Sequence, residues 1–176
     1  MTTISEEAQD LIDSTLVYLS VYDTESSPWS FAMMVRDENE KTLERWQLLV
    51  EVFFRLLTAD LLRSTHYVRH GEWAPWSPDS LDAPPKESIV ELAVRLSQHN
   101  PYSNPADEAR EDVDVWIGPL LYATPSAKAL LAKYRIDDYD QMTPEFFREV
   151  EGMFDRSGVP WQHYPLIAVA PQGGEA

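Results

Sequence analysis

The chain has 176 residues, with 30 acidic residues against 14 Lys and Arg, for a formal charge of −16. Proteins that grip nucleic acid or an anionic membrane need cations to replace the counterions of phosphate, so this balance excludes both as ordinary partners. An apolar share of 44% and an aromatic share of 11% are those of a folding chain, not a disordered one, and the length suits one domain over residues 1–176.

The first predicted helix starts at Thr3, whose spacing to Glu6 fits a capping box, and runs through Ala8, Leu11, Ile12, Thr15, Tyr18 and Leu19 to Tyr22. Residues 15–35 also support a β-hairpin about Thr24–Pro28, with Val17, Leu19 and Val21 on one side and Trp29, Phe31 and Met33 on the other. A second helix is predicted from about Glu38 to His66. Its middle, with Trp46, Leu49, Val50, Phe53, Leu57 and the flanking Leu48, Val52, Phe54 and Leu56, is apolar nearly all round, as befits the centre of a bundle. Glu51, Arg55 and Asp60 interrupt that run and exclude a membrane span.

Asp82–Pro85 reads as the next helix start, with Ile89, Leu92, Ala93 and Leu96 behind it and Asn100-Pro101 as its stop. Asn104-Pro105, Thr124-Pro125 and Thr143-Pro144 repeat one device: a capping side chain precedes a proline whose missing N–H costs nothing at the first helical position. After Asn104-Pro105, Val113–Trp116 fits a short strand as well as a helix. Gly158 and Pro160 stop the last helix, and Leu166–Ala170 has strand character. The fold class expected is mainly α: an irregular bundle of five to six helices, with a small β-hairpin or a short terminal strand as the alternative for the two ambiguous regions. Gly71–Pro85, with two tryptophans and four prolines, reads as a stiff ordered loop.

The charge is uneven. Residues 1–35 hold six acids and no base, and residues 101–117 hold five acids and one base. The acid concentrates in Glu6, Glu7, Asp10 and Asp13, in Asp107–Asp114, and in Asp137, Asp138 and Asp140. Such a field raises the encounter rate with a basic protein.

Catalytic signatures are missing. The chain has no cysteine, no Gly-x-Ser-x-Gly elbow and no phosphate-cradling Gly-rich loop. His66 and His70, with Glu72 following, would bring two imidazoles to one helical face if the helix continued, but Gly71 and Pro75 interrupt it and Tyr67 stands where a zinc-protease pattern needs Glu. The reading is therefore no enzyme, no metal and no cofactor. The segment singled out for partner binding comprises His66, Tyr67, Arg69, His70, Gly71, Glu72, Trp73, Trp76, Asp79 and Asp82. Aromatic side chains in a proline-framed loop with charge at the rim match the composition of binding hot spots.

Small size, strong acidity, no cysteine, little glycine and no catalytic constellation resemble the small acidic immunity proteins that bacteria make against secreted toxins, including the immunity factor of the NAD-hydrolysing necrotizing toxin of mycobacteria. The resemblance rests on size, charge and absences, and no motif transfers a residue role. It implies a cytoplasmic antitoxin that occludes the active site of a cognate toxin with a basic surface, without nucleic acid or membrane as partner. Met1–Glu7 lacks the basic residue and apolar run of a signal peptide, in keeping with a cytoplasmic protein. The alternatives are an acidic adaptor or DNA mimic, and a small-molecule or metal-dependent enzyme using His66, His70 and Glu72.

Overall fold

The computed structural model describes residues 4–34, 38–78, 80, 82–102, 115–162 and 164–170. Among these, six α-helices and four short strands have defined bounds, so the chain is mainly α with two small antiparallel sheets.

Helix α1 (Glu6–Ser20) is capped by Ser5, whose hydroxyl accepts the Ala8 N–H at 3.3 Å. The cap expected at Thr3 lies outside the described residues. Ala8, Leu11, Ile12, Leu16 and Leu19 are buried at helical spacing, and the helix ends two residues short of Tyr22. The hairpin alternative for residues 15–35 does not form: residues 15–20 stay in α1, and Pro28–Met33 is a short helix, α2, with Pro28 at its first turn. The helical periodicity of the buried residues wins over the alternation of Val17, Leu19 and Val21, because only the helix buries Leu16 and Leu19 together. Ser26, between the helices, bridges to Leu121 instead.

After a 3₁₀ turn at Glu38–Glu40, helix α3 (Leu43–Thr58) starts with Thr42 accepting the Arg45 N–H at 3.1 Å. Every residue from Leu49 to Leu57 is buried, so α3 is the centre of the core, as its all-round apolarity predicts. It stops at Thr58, well before His66. Asp60 takes a left-handed backbone (φ +53°), the Leu61 N–H donates to the Leu56 carbonyl at 2.9 Å, and Leu61 buries beneath the helix end.

The chain then turns into strands. Strand β1 (Leu62–Ser64) pairs antiparallel with β4 (Leu121–Ala123), while β2 (His66–Arg69) and β3 (Glu72–Pro75) form a hairpin. Thr65 joins the sheets: its N–H donates to Leu120, its carbonyl accepts from the Trp76 N–H at 2.7 Å, and its hydroxyl accepts the Leu120 N–H at 3.0 Å. The first part of the expected loop at 71–85 is thus half of a hairpin.

Helix α4 (Lys86–Gln98) begins after Pro85, as the proline pair predicts. The carbonyls at its C-terminal end are satisfied from distant segments: the Trp46 indole N–H donates to Leu96 at 2.9 Å, the Ala170 N–H to Ser97 at 2.9 Å, and the Trp116 indole N–H to His99 at 2.5 Å. Asn104-Pro105 and most of the segment behind it lie outside the described residues. Residues 115–117 are helical, so the strand alternative does not hold at Val115 and Trp116.

Helices α5 (Pro125–Tyr134) and α6 (Pro144–Arg156) start where the Thr-Pro device places them. The Thr124 and Thr143 hydroxyls accept the Ala127 and Phe146 N–H groups at 3.2 and 3.3 Å. Gly158 ends α6 at φ +74°, with the Val159 N–H donating to Phe154 at 2.9 Å. The terminal strand held as an alternative at Leu166–Ala170 does not form. That segment instead lies along α3, where side chains of the helix supply its hydrogen bonds: Gln47 donates to the Ile167 carbonyl at 2.8 Å and accepts the Val169 N–H at 2.9 Å.

Candidate functional site

The residues singled out from the sequence fall on the β2–β3 hairpin and the chain that follows it. His70 (φ +54°) and Gly71 (φ +80°) are the two central residues of the turn, the backbone signs of a tight type I′ hairpin. The metal geometry considered from spacing depended on a continuous helix. In the structure His66 pairs with Pro75, Arg69 pairs with Glu72, and His70 sits at the tip. Among the described residues no group of three or more His, Asp or Glu could hold a metal ion.

Helix α4 braces the tip. The Gly71 N–H donates to the Glu91 carboxylate at 3.1 Å, and Arg95 donates to the Gly71 carbonyl while its guanidinium lies 5.7 Å from the centre of the Trp73 ring. Glu91 and Arg95 are one turn apart, so a single helical face holds both polar groups of Gly71. Trp73 remains 37% exposed over this bracket.

Tyr67 and Trp76 turn the other way. The Tyr67 hydroxyl accepts the Ser64 N–H at 3.0 Å, burial pushes its ionisation well above the usual phenol range, and its ring meets that of Trp76 edge to face at 6.0 Å. Tyr67 is buried and Trp76 half-buried, so these two anchor the hairpin to the core, while Trp73 with the exposed Arg69, His70 and Glu72 is presented outward. His66 is half-buried, with its Nδ1 3.1 Å from the Thr65 hydroxyl. Asp82 is exposed, and Asp79 lies outside the described residues.

A second region was named in the sequence only as charge. Two of the three acid clusters converge: the Asp140 N–H donates to Asp13 on α1 at 3.1 Å, across 127 residues. They border a cleft of about 740 Å³. Helix α1 contributes Glu7, Asp10, Leu11, Asp13 and Ser14; Glu40, Glu44, Arg45 and Leu48 face them, and Met34, Tyr139 and Asp140 complete the wall. The exposed Tyr139 and Tyr22 rings pack at 5.9 Å, and Tyr22 lies 6.3 Å from the half-buried Tyr18, so a pair of exposed tyrosines adjoins the acid. Spacing along the chain could not reveal this pairing, because it depends on where the turn after α5 returns. The third cluster, Asp107–Asp114, lies outside the described residues.

Compared with family models, with curated proteins and with solved structures, the chain shows no match in any of the three. Among the described residues no helix is long and apolar enough to cross a membrane.

Proposed function

We propose that this chain is an inhibitory binding protein of the immunity kind, which associates with a basic toxin enzyme and covers its active site. It would do so in the cytoplasm, without catalysis of its own, as a single irregular helical bundle over residues 1–176. The observation that supports this best is Trp73, a large indole left 37% exposed on a hairpin whose tip is bracketed by Glu91 and Arg95. A pre-organised aromatic side chain loses little freedom on binding, and such residues carry most of the energy of protein interfaces. The acidic surplus supplies the complementary long-range attraction.

The test is co-expression with a secreted toxin encoded beside this gene, an NAD-hydrolysing enzyme being the first candidate. A stable complex that suppresses toxin activity is expected, and Trp73→Ala should weaken it by at least about 30-fold, equivalent to about 2 kcal/mol. Full toxin activity in the presence of excess protein would overturn the reading, and unchanged affinity in Trp73→Ala would remove the hairpin from the interface.

A further inference from the structure

We infer that the groove along α3 into which residues 160–170 pack is a site for a short uncharged peptide segment, filled at rest by the chain's own strap and open to the same strap from a second copy. The hold on the strap is made almost wholly by side chains of one helix. Gln47 donates to the Ile167 carbonyl at 2.8 Å and accepts the Val169 N–H at 2.9 Å, Glu51 accepts the Ile167 N–H at 2.9 Å, and Arg55 donates to the Pro160 carbonyl at 3.0 Å. Among the described residues, the one backbone-to-backbone bond from the strap runs from the Ala170 N–H to the Ser97 carbonyl at the end of α4, at 2.9 Å. All of these bonds go to main-chain atoms of the strap, so they read a peptide backbone and not the identity of its side chains.

The core closes before the strap begins. Val159 is the last buried residue among those described; Trp161, Leu166, Ile167 and Val169 are half-buried against the core, and every other described residue from Pro160 to Ala170 is exposed. A segment with few buried contacts opens at a smaller free energy than the whole fold does. Opening leaves a usable site, because Glu51 and Arg55 remain paired with each other and water replaces the lost backbone groups. An identical strap restores every bond, so exchange between two copies forfeits no contact. Charge favours a meeting at this place: residues 157–174 contain no Asp, Glu, Lys or Arg, the longest such run in a chain of charge −16. Two acidic copies therefore approach each other through their least charged part.

The experiment uses the full chain, native and as Val169→Pro, with a synthetic peptide of residues 161–170 as the probe. The proline removes the N–H that Gln47 accepts, at a half-buried position beyond the core, and so unseats the strap without altering the groove. Amide resonances of the isotope-labelled Val169→Pro chain are expected to shift saturably at Gln47, Glu51 and Ser97, with an affinity at least about tenfold higher than that of the native chain, whose own strap competes. A peptide carrying the same proline should bind at least about tenfold more weakly, since it lacks the same bond. Equal binding of the two peptides, or equal affinity of the two chains, would overturn the peptide site. Sedimentation equilibrium of the native chain should show a dimer that grows with concentration and is dissolved by excess peptide, while Val169→Pro stays monomeric. A native chain that remains monomeric up to millimolar concentration, while Val169→Pro binds the peptide, would overturn the second copy as occupant in favour of a segment of another protein. Amide exchange in the native chain tests the strap without any variant: the Ile167 and Val169 amides should exchange at least about a hundredfold faster than that of Phe53 in α3, and equal protection would overturn a detachable strap. No toxin enters these measurements, so their failure is distinct from failure of the inhibition assay.

Discussion

The carboxylate of Glu51, in the middle of the most apolar helix, accepts the backbone N–H of Ile167 at 2.9 Å, 116 residues further along the chain. Its other oxygen is ion-paired with Arg55 one turn on, and Arg55 donates to the Pro160 carbonyl at 3.0 Å while covering the Trp161 ring at 4.6 Å. With Gln47 one turn earlier, the three polar residues make a stripe at every fourth position that acts toward residues 160–169 as a neighbouring strand would.

Breaking this pair on one side should be severe. Arg55→Met leaves Glu51 buried without its counter-ion, and a loss of about 3–5 kcal/mol is expected from urea denaturation midpoints. Adding Glu51→Gln removes the stranded charge while keeping an acceptor for the Ile167 N–H, so the double variant should be more stable than Arg55→Met alone. A double variant no better than the single one would show that the Pro160 and Trp161 contacts, rather than charge compensation, hold the segment.

The two Thr-Pro helix starts should differ in worth. Thr143 is exposed, and besides its cap bond its hydroxyl hydrogen-bonds only the exposed Glu145 carboxylate, so Thr143→Ala should cost about 1 kcal/mol. Thr124 is fully buried, and besides capping α5 its hydroxyl donates to the Asp60 carbonyl at 2.6 Å, tying the end of α3 to the start of α5. Thr124→Ala should cost about 2–3 kcal/mol, because the Asp60 carbonyl loses its donor as well as the helix its cap. Equal losses in paired thermal melts would refute the distinction.

The Thr-Pro helix starts were legible in the sequence and the ends of α3 and α5 were not, for a physical reason. Thr124 and Thr143 advertise themselves through residue type, since few side chains can cap. Three helices end alike, with a left-handed residue followed by a buried apolar one whose N–H reaches back five residues: Asp60-Leu61, Arg135-Ile136 and Gly158-Val159. Only Gly158 shows in residue type, because burial of the following side chain offsets the strain of Asp60 and Arg135. Without a visible stop at Asp60, the periodicity carries α3 on to His66 and hides β1 and the hairpin. The tail at 166–170 looked like a strand for a sound reason, since its backbone does seek lateral partners, but Gln47 and Glu51 provide them. At the candidate site, composition drew attention to the hairpin segment, yet only the fold separates the inward Tyr67 and Trp76 from the outward Trp73. The meeting of Asp13 and Asp140 leaves no local signature at all.

The hairpin tip is open to improvement. His70 adopts φ +54°, where an ordinary side chain is strained and asparagine is at ease, and Gly71 follows it at φ +80°. His70→Asn creates the Asn-Gly pair that type I′ turns favour and should raise stability by about 0.5 kcal/mol or more. Gly71→Ala should cost about 1–2 kcal/mol from backbone strain alone, since an added Cβ would meet no atom within 4 Å. The signs are checked by denaturation, and a neutral Gly71→Ala would mean that the turn relaxes to another type.

Asp13 should weaken the fold at neutral pH, and the sign follows from its surroundings. Burial, then the charges of Asp140, Asp10 and Asp138, raise its pKa above the ordinary 3.8, outweighing the hydrogen bond from the Asp140 N–H. The folded state therefore holds the proton more tightly than the unfolded chain does. As pH rises from the unfolded value through the folded one, stability is lost, and above both values the full penalty remains. An asparagine side chain at this position would still accept the Asp140 N–H through its carbonyl oxygen and would turn its N–H₂ toward the neighbouring carboxylates. Asp13→Asn is accordingly expected to be more stable than the native chain at pH 7, by about 1 kcal/mol, with the advantage shrinking as pH falls toward 3.8. Urea midpoints at a series of pH values measure it. A variant less stable than the native chain at pH 7 would mean that Asp13 is already compensated within the fold, whereas a more stable one would identify an acid that the fold carries at a cost in stability.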